Sequence, residues 1–121
     1  MFVGVLRLTF HIPQARSLKD KRSVVRKFRD RVRARFDVSI AEVEEQDLHQ
    51  KAVFGVCVVS GDASVCDAVL EQVARAAETQ EEAVLTHRAT EVITIGDDLY
   101  GDDTDGGASG HKTGDEGEDD G

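Results

Sequence analysis

Apolar and polar positions alternate from Phe2 to Ile12: Phe2, Leu6, Leu8, Phe10 and Ile12 share one face with Gly4, and Val3, Val5, Arg7, Thr9 and His11 share the other. A period of two predicts a strand with one face on a core. Pro13 ends it, and Ser17 with Asp20 three residues later makes a capping-box start for a helix predicted over Leu18 to Phe36. Leu18, Val25, Phe28, Val32 and Phe36 fall on its apolar stripe, with Val24 at the edge. Period two returns at Asp37, where Val38 and Ile40 oppose Ser39, Ala41 and Val43, and closes in the acids Glu42, Glu44, Glu45 and Asp47. Gln46 to Gln50 reads as a turn. The nearly continuous apolar run from Ala52 to Ser60 predicts a central strand. Ser60-Gly61-Asp62 breaks the run. A second helix is predicted over Ala63 to Glu78, with Val65, Val69, Leu70, Val73 and Ala77 inward, and a Thr-, Val- and Ile-rich strand over Val84 to Ile95.

The order β-α-β-β-α-β predicts an α+β sandwich of ferredoxin-like topology: an antiparallel sheet, two helices on one face, and the strands preceding each helix in the middle. The other sheet face is left open. Beyond Gly96 the composition falls to Gly, Asp, Glu, Ser and Thr, with Leu99 and Tyr100 early on. Such a segment buries too little apolar surface to repay its ordering entropy, so the expectation is one domain over 1–96 and a disordered acidic tail over 97–121.

Charge sharpens this division. The formal net charge is −9, yet residues 1–96 carry fourteen basic and fourteen acidic side chains, so the whole excess belongs to the tail. Ten of those fourteen basic residues lie between Arg16 and Arg35, where only Asp20 and Asp30 are acidic. Arg22, Arg26, Arg29 and Arg33 follow i, i+4, i+7, i+11 spacing and form a stripe beside the apolar face, with Lys27 and Arg31 on the other flank. Two readings stand for the stripe. One is a solvated helix face; the other is a surface for a phosphate backbone, with Lys19, Arg22, Arg26, Lys27, Arg29 and Arg33 as contacts. On the second reading the partner is RNA or a ribosomal subunit, and the tail could mask the stripe until a stronger polyanion displaces it. A membrane surface fits less well, because the apolar stripe is needed by the sheet. Lys21 falls inside that stripe. It either snorkels over the sheet edge or pairs with Glu42, Glu44 or Asp47.

The chemistry-bearing motifs are sparse. His11, His49, His87 and His111 lack metal-ligand spacing, and Cys57 and Cys66 form neither a C-x-x-C pair nor a disulfide framework. Phosphate-loop, dinucleotide-binding and nucleophile-elbow motifs are missing, and Asp103-Thr-Asp105-Gly106 lacks the rest of a calcium loop. The expectation is a protein without catalytic residues, cofactor, metal or small-molecule substrate. No apolar run reaches the roughly 18 residues of a membrane span and no signal peptide is evident, so a cytoplasmic location is expected. The open sheet face carries no aromatic platform for stacking bases. Its aliphatic candidates Val3, Val5, Val53, Cys57 and Val59 suggest a sheet-to-sheet homodimer or a protein partner.

Three stretches together carry a resemblance: Val3-Gly-Val-Leu with His11-Ile-Pro, Ser17-Leu-Lys-Asp-Lys-Arg22, and Val38-Ser-Ile-Ala-Glu-Val43 running through Gln46-Asp-Leu-His-Gln-Lys-Ala52 and Gly55-Val-Cys-Val-Val-Ser60. Over about residues 1–95 the chain resembles the YlxP-like family of small bacterial proteins of unknown function. The resemblance implies the same ferredoxin-like sandwich and a genomic setting beside translation-initiation and ribosome-maturation genes. It supplies no catalytic residues. His49 stands where the family usually has Trp, and the acidic tail departs from the family pattern.

Overall fold

The computed structural model describes residues 1–96. In chain order the elements are β1 (Phe2–His11), α1 (Leu18–Arg35), β2 (Ser39–Glu44), β3 (Lys51–Ser60), α2 (Ala63–Glu78) and β4 (Val84–Thr94). The strands form one antiparallel sheet in the order β2-β3-β1-β4, with both helices on one face, which is the ferredoxin-like α+β sandwich. The acidic segment expected beyond Gly96 lies outside the described residues.

The helix starts obey their sequence signals. Ser17 Oγ accepts from Asp20 N at 3.1 Å, and the Asp20 carboxylate reaches back to accept from Arg16 N at 2.9 Å. That back-bond lands one residue before the cap, a variant of the capping box. At the other end Phe36 N donates to Val32 O at 2.8 Å, so Phe36 caps α1 instead of extending it. Asp62 caps α2 by accepting from both the amide and the hydroxyl of Ser64, at 2.9 and 2.7 Å. These bonds to its charged form hold the Asp62 carboxyl below its ordinary pKa.

The core lies between the sheet and the two helices. Phe10 of β1, Phe28 of α1 and Phe54 of β3 meet edge-on in a triangle, with centroids 5.1, 5.1 and 5.8 Å apart. The inward stripe of α2 is rotated from the predicted one: Val65 is exposed, and Cys66, Leu70, Val73, Ala74 and Ala77 are buried. The cause is Gly4. A Cβ there would stand 2.8 Å from Leu70 Cδ1, 3.0 Å from Cys66 Cβ and 3.2 Å from Val58 Cγ1, so the bare glycine and the small Cys66 let α2 approach β1 closely. No helix among the described residues is long and apolar enough to cross a membrane.

Candidate anion-binding groove

The stripe predicted on α1 faces the edge strand β2, and the two enclose a groove of about 370 Å³. Arg22, Arg26, Arg29 and Arg33 line the helix side, and Ile40, Ala41, Glu42 and Gln46 line the other. Arg22 and Arg26 are exposed, and no carboxylate among the described residues lies within ion-pair distance of either. Arg29 sits deeper. Asp30 comes within 3.5 Å of its Nε without hydrogen-bonding, leaving that buried N–H unpartnered. Arg33 donates from Nη2 to the carbonyl of Ile40 at 3.2 Å, which pins it over the β2 edge. Lys19 lies one turn N-terminal on the same stripe and is exposed.

Among the described residues Glu42 is the only acid lining this groove, and it is neutralised from beneath. Lys21 is 2% exposed, and its Nζ lies 2.7 Å from Glu42 Oε2. Its hydrogen bonds go to the carbonyls of Glu45 and Leu48, both at 2.7 Å, while Glu42 Oε2, without a hydrogen-bond partner, meets it as an ion pair. Pairing of Lys21 with an acid ending the second strand was one of the two sequence readings, and Glu42 is the partner. Sequence reasoning missed the two carbonyls. They belong to the turn between β2 and β3, where Glu45 has φ of 59°, a left-handed conformation uncommon for a non-glycine residue. The ammonium thus holds a strained turn and cancels a groove charge together. A long basic side chain within an apolar stripe was the signal for it.

Lys27 stands apart from the groove. It occupies the opposite flank of α1 and pairs with Glu82 at 3.0 Å, while Arg31 on that flank reaches Thr79 Oγ1 at 3.5 Å. Of the six expected phosphate contacts, five share one face and Lys27 does not.

On the open sheet face, Val3 lies in register between Val59 of β3 and Ile93 of β4, with Val5 in the next row. Val5, Val59 and Ile93 are exposed, Val3 and Cys57 half-buried, and Cys57 is a free thiol. Val53 corrects the expected docking set: it is fully buried and cannot meet a partner. A β-bulge between Glu42 and Glu44 shifts β2 so that Glu44, not Val43, lies opposite Val53, with Thr9 on its other side. Arg7, in register with Gly55, reaches across β3 to pair with Glu44 at 2.7 Å, and the bare Gly55 is instead overlain by Val43, whose Cγ1 would stand 3.2 Å from a Cβ there. The Arg7–Glu44 hydrogen bond raises the Arg7 pKa and lowers that of Glu44. This end of the face is therefore mixed, the Arg7–Glu44 pair lying beside the exposed Val43, and the cluster of Val3, Val5, Val59 and Ile93 lies at the other end. Ile93 was missed because only the β1–β4 register places it beside Val3.

The family match covers residues 3–90 and is described as a protein of unknown function, DUF503; the chain belongs to this family. The uncharacterized protein YlxP of Bacillus subtilis (strain 168) is 35% identical to this chain over 71 residues, spanning 59% of this chain and 77% of that protein. Among solved structures, the de novo designed protein Foldit4 aligns with a TM-score of 0.47 and 10% identity, over 78% of this chain and 99% of its own. A REP-associated tyrosine transposase bound to a REP hairpin aligns at 0.38 and 12% identity, over 82% of this chain and 60% of its own.

Proposed function

We propose that this protein is a non-enzymatic, cytoplasmic accessory factor that binds RNA, free or within a ribosomal subunit, through phosphate contacts made by the groove between α1 and β2. The observation that carries this reading is the charge state of the groove: four guanidinium groups converge on it, and the one acid that the described residues place in its wall is already paired to a buried ammonium. Rows of guanidinium groups suit phosphates because each presents a planar fork of donors to two oxygens. Phosphate contacts orient a nucleic acid without reading its sequence, and among the described residues the open sheet face carries no Phe, Tyr or Trp on which bases would stack. The reading agrees with the translation setting that the family resemblance implies.

The test is RNA binding by the chain truncated after Gly96, before and after reversal of Arg22, Arg26, Arg29 and Arg33 to Glu, with circular dichroism verifying the fold. Loss of binding is expected. Retained binding by a folded reversal variant would overturn the proposal.

A further inference from the structure

The two edges of the sheet are treated differently by the chain. β2 is short, interrupted by its bulge, and its outward carbonyls are occupied: Arg33 donates to Ile40 O and Gln46 Nε2 donates to Glu42 O. Such features block pairing with another strand. β4 has eleven residues, contains neither Pro nor Lys, and is regular from His87 to Thr94. Among the described residues, no side chain bonds to its backbone. Ile95 N donates to Met1 O, which sets the phase of the ladder: Glu91, Ala89 and His87 bond inward to β1, and Arg88, Thr90, Val92 and Thr94 turn their N–H and C=O groups outward.

We propose that β4 is the docking edge for a second copy of this chain, pairing antiparallel with its own counterpart about a two-fold axis at Ala89. The side chains select this occupant and register. Arg88 then bonds opposite Thr90 of the second copy, and His87 faces its Glu91 in a close, non-hydrogen-bonded pair on the open face. Both groups are available: His87 Nδ1 is 3.2 Å from Thr86 Oγ1, which leaves Nε2 unengaged, and Glu91 is exposed with no cation within ion-pair distance among the described residues. A register centred on Glu91 would oppose two carboxylates, and one centred on Arg88 would oppose two guanidinium groups. Self-pairing produces an eight-stranded sheet about 34 Å across, with the two arginine grooves on its outer edges. Isologous contacts of this kind close on themselves and stop at two copies.

The experiment uses the full chain without RNA. Sedimentation velocity at about 50 µM, a concentration suited to a micromolar dimer, is expected to show a dimer; a monomer would overturn the proposal. Ala89→Cys is expected to give a covalent dimer under oxidising conditions, because a non-hydrogen-bonded antiparallel pair brings the Cα atoms within disulfide range. Absence of that cross-link, or equal cross-linking of the wild type through Cys57, would favour stacking by the open face and overturn the edge assignment. His87→Glu is expected to weaken the dimer about tenfold through two like-charge contacts, and adding Glu91→Lys to restore it. Failure of the folded double variant to recover would refute the register. Thr90→Pro removes only an outward N–H, so a folded Thr90→Pro chain that still dimerises would also count against the edge.

Discussion

Lys21 and Glu42 meet 2.7 Å apart beneath the arginine groove, one from the first turn of α1 and the other from edge strand β2. The pair joins the fold to the candidate site. Lys21 is as buried as the phenylalanines around it, and its two hydrogen bonds fix the turn that returns the chain into β3. Removing the ammonium would leave two carbonyls without donors and a carboxylate in the groove wall without a counter-charge.

Lys21→Met is therefore expected to destabilise the protein by about 3 kcal/mol, the cost of breaking a buried pair from one side. The double variant Lys21→Met, Glu42→Gln should recover part of that loss, since neither side then holds an unpaired charge. Urea denaturation of the singles and the double measures the coupling. A second readout is RNA affinity. Lys21→Met should weaken it although Lys21 is buried away from solvent, because Glu42 would then present its charge to the groove.

The sheet, both helices and the open face were legible because each rests on periodicity: two for Phe2 to Ile12, helical spacing for Val25, Phe28 and Val32. The arginine stripe was legible for the same reason. That it faces a groove was not, since the opposing wall comes from β2, and strand order does not reveal how far α1 overhangs an edge. The misplaced residues have local causes. Val53 was set on the exposed face by strict alternation, and periodicity did not reveal that it lies fully buried between Thr9 of β1 and the bulged end of β2. Val65 was placed inward on α2 by hydropathy, whereas the close approach at Gly4 selected Cys66 for that position.

Gly4→Ala tests this approach. The added methyl would meet Leu70 Cδ1 at 2.8 Å and the Cys66 Cβ at 3.0 Å. The Leu70 methyl can move, but Cys66 Cβ is tied to the helix backbone, so α2 must shift. Overpacking of this kind costs about 1–3 kcal/mol. A lowered denaturation midpoint with an unchanged slope is the expected result. Coupling it to Cys66→Gly, which removes the nearer fixed atom, should recover part of the loss.

Acid stability has an identifiable contributor in Asp62. Its carboxyl titrates below the unfolded value of about 3.9 because the charged form accepts from Ser64. A group whose folded pKa is depressed stabilises the fold above the unfolded pKa and loses that contribution as pH falls through the folded one. Asp62→Asn keeps a good N-cap acceptor and removes the titration. Melting temperatures near neutrality should change little. As pH falls below about 4, the variant should lose stability less steeply than the wild type. Glu44, depressed by Arg7, acts over the same window in both proteins and cancels in the comparison.

Arg26 and Arg33 should behave differently when each is changed to Ala, although both line the groove. Arg26 is exposed and has no carboxylate within ion-pair distance among the described residues, so its removal should leave the melting temperature unchanged and lower RNA affinity. If it contacts one phosphate of a single strand, the slope of log affinity against log salt should fall in magnitude by about 0.7. Arg33 donates to the Ile40 carbonyl, so its loss should also expose the β2 edge and reduce stability. The charge balance adds a third variant. Residues 97–121 carry ten acidic side chains and one Lys, opposite in sign to the stripe. Truncation after Gly96 should raise RNA affinity most at low salt, where attraction between the two segments is least screened. Equal affinities for the truncated and full chains across salt would show that the tail does not compete for the arginines.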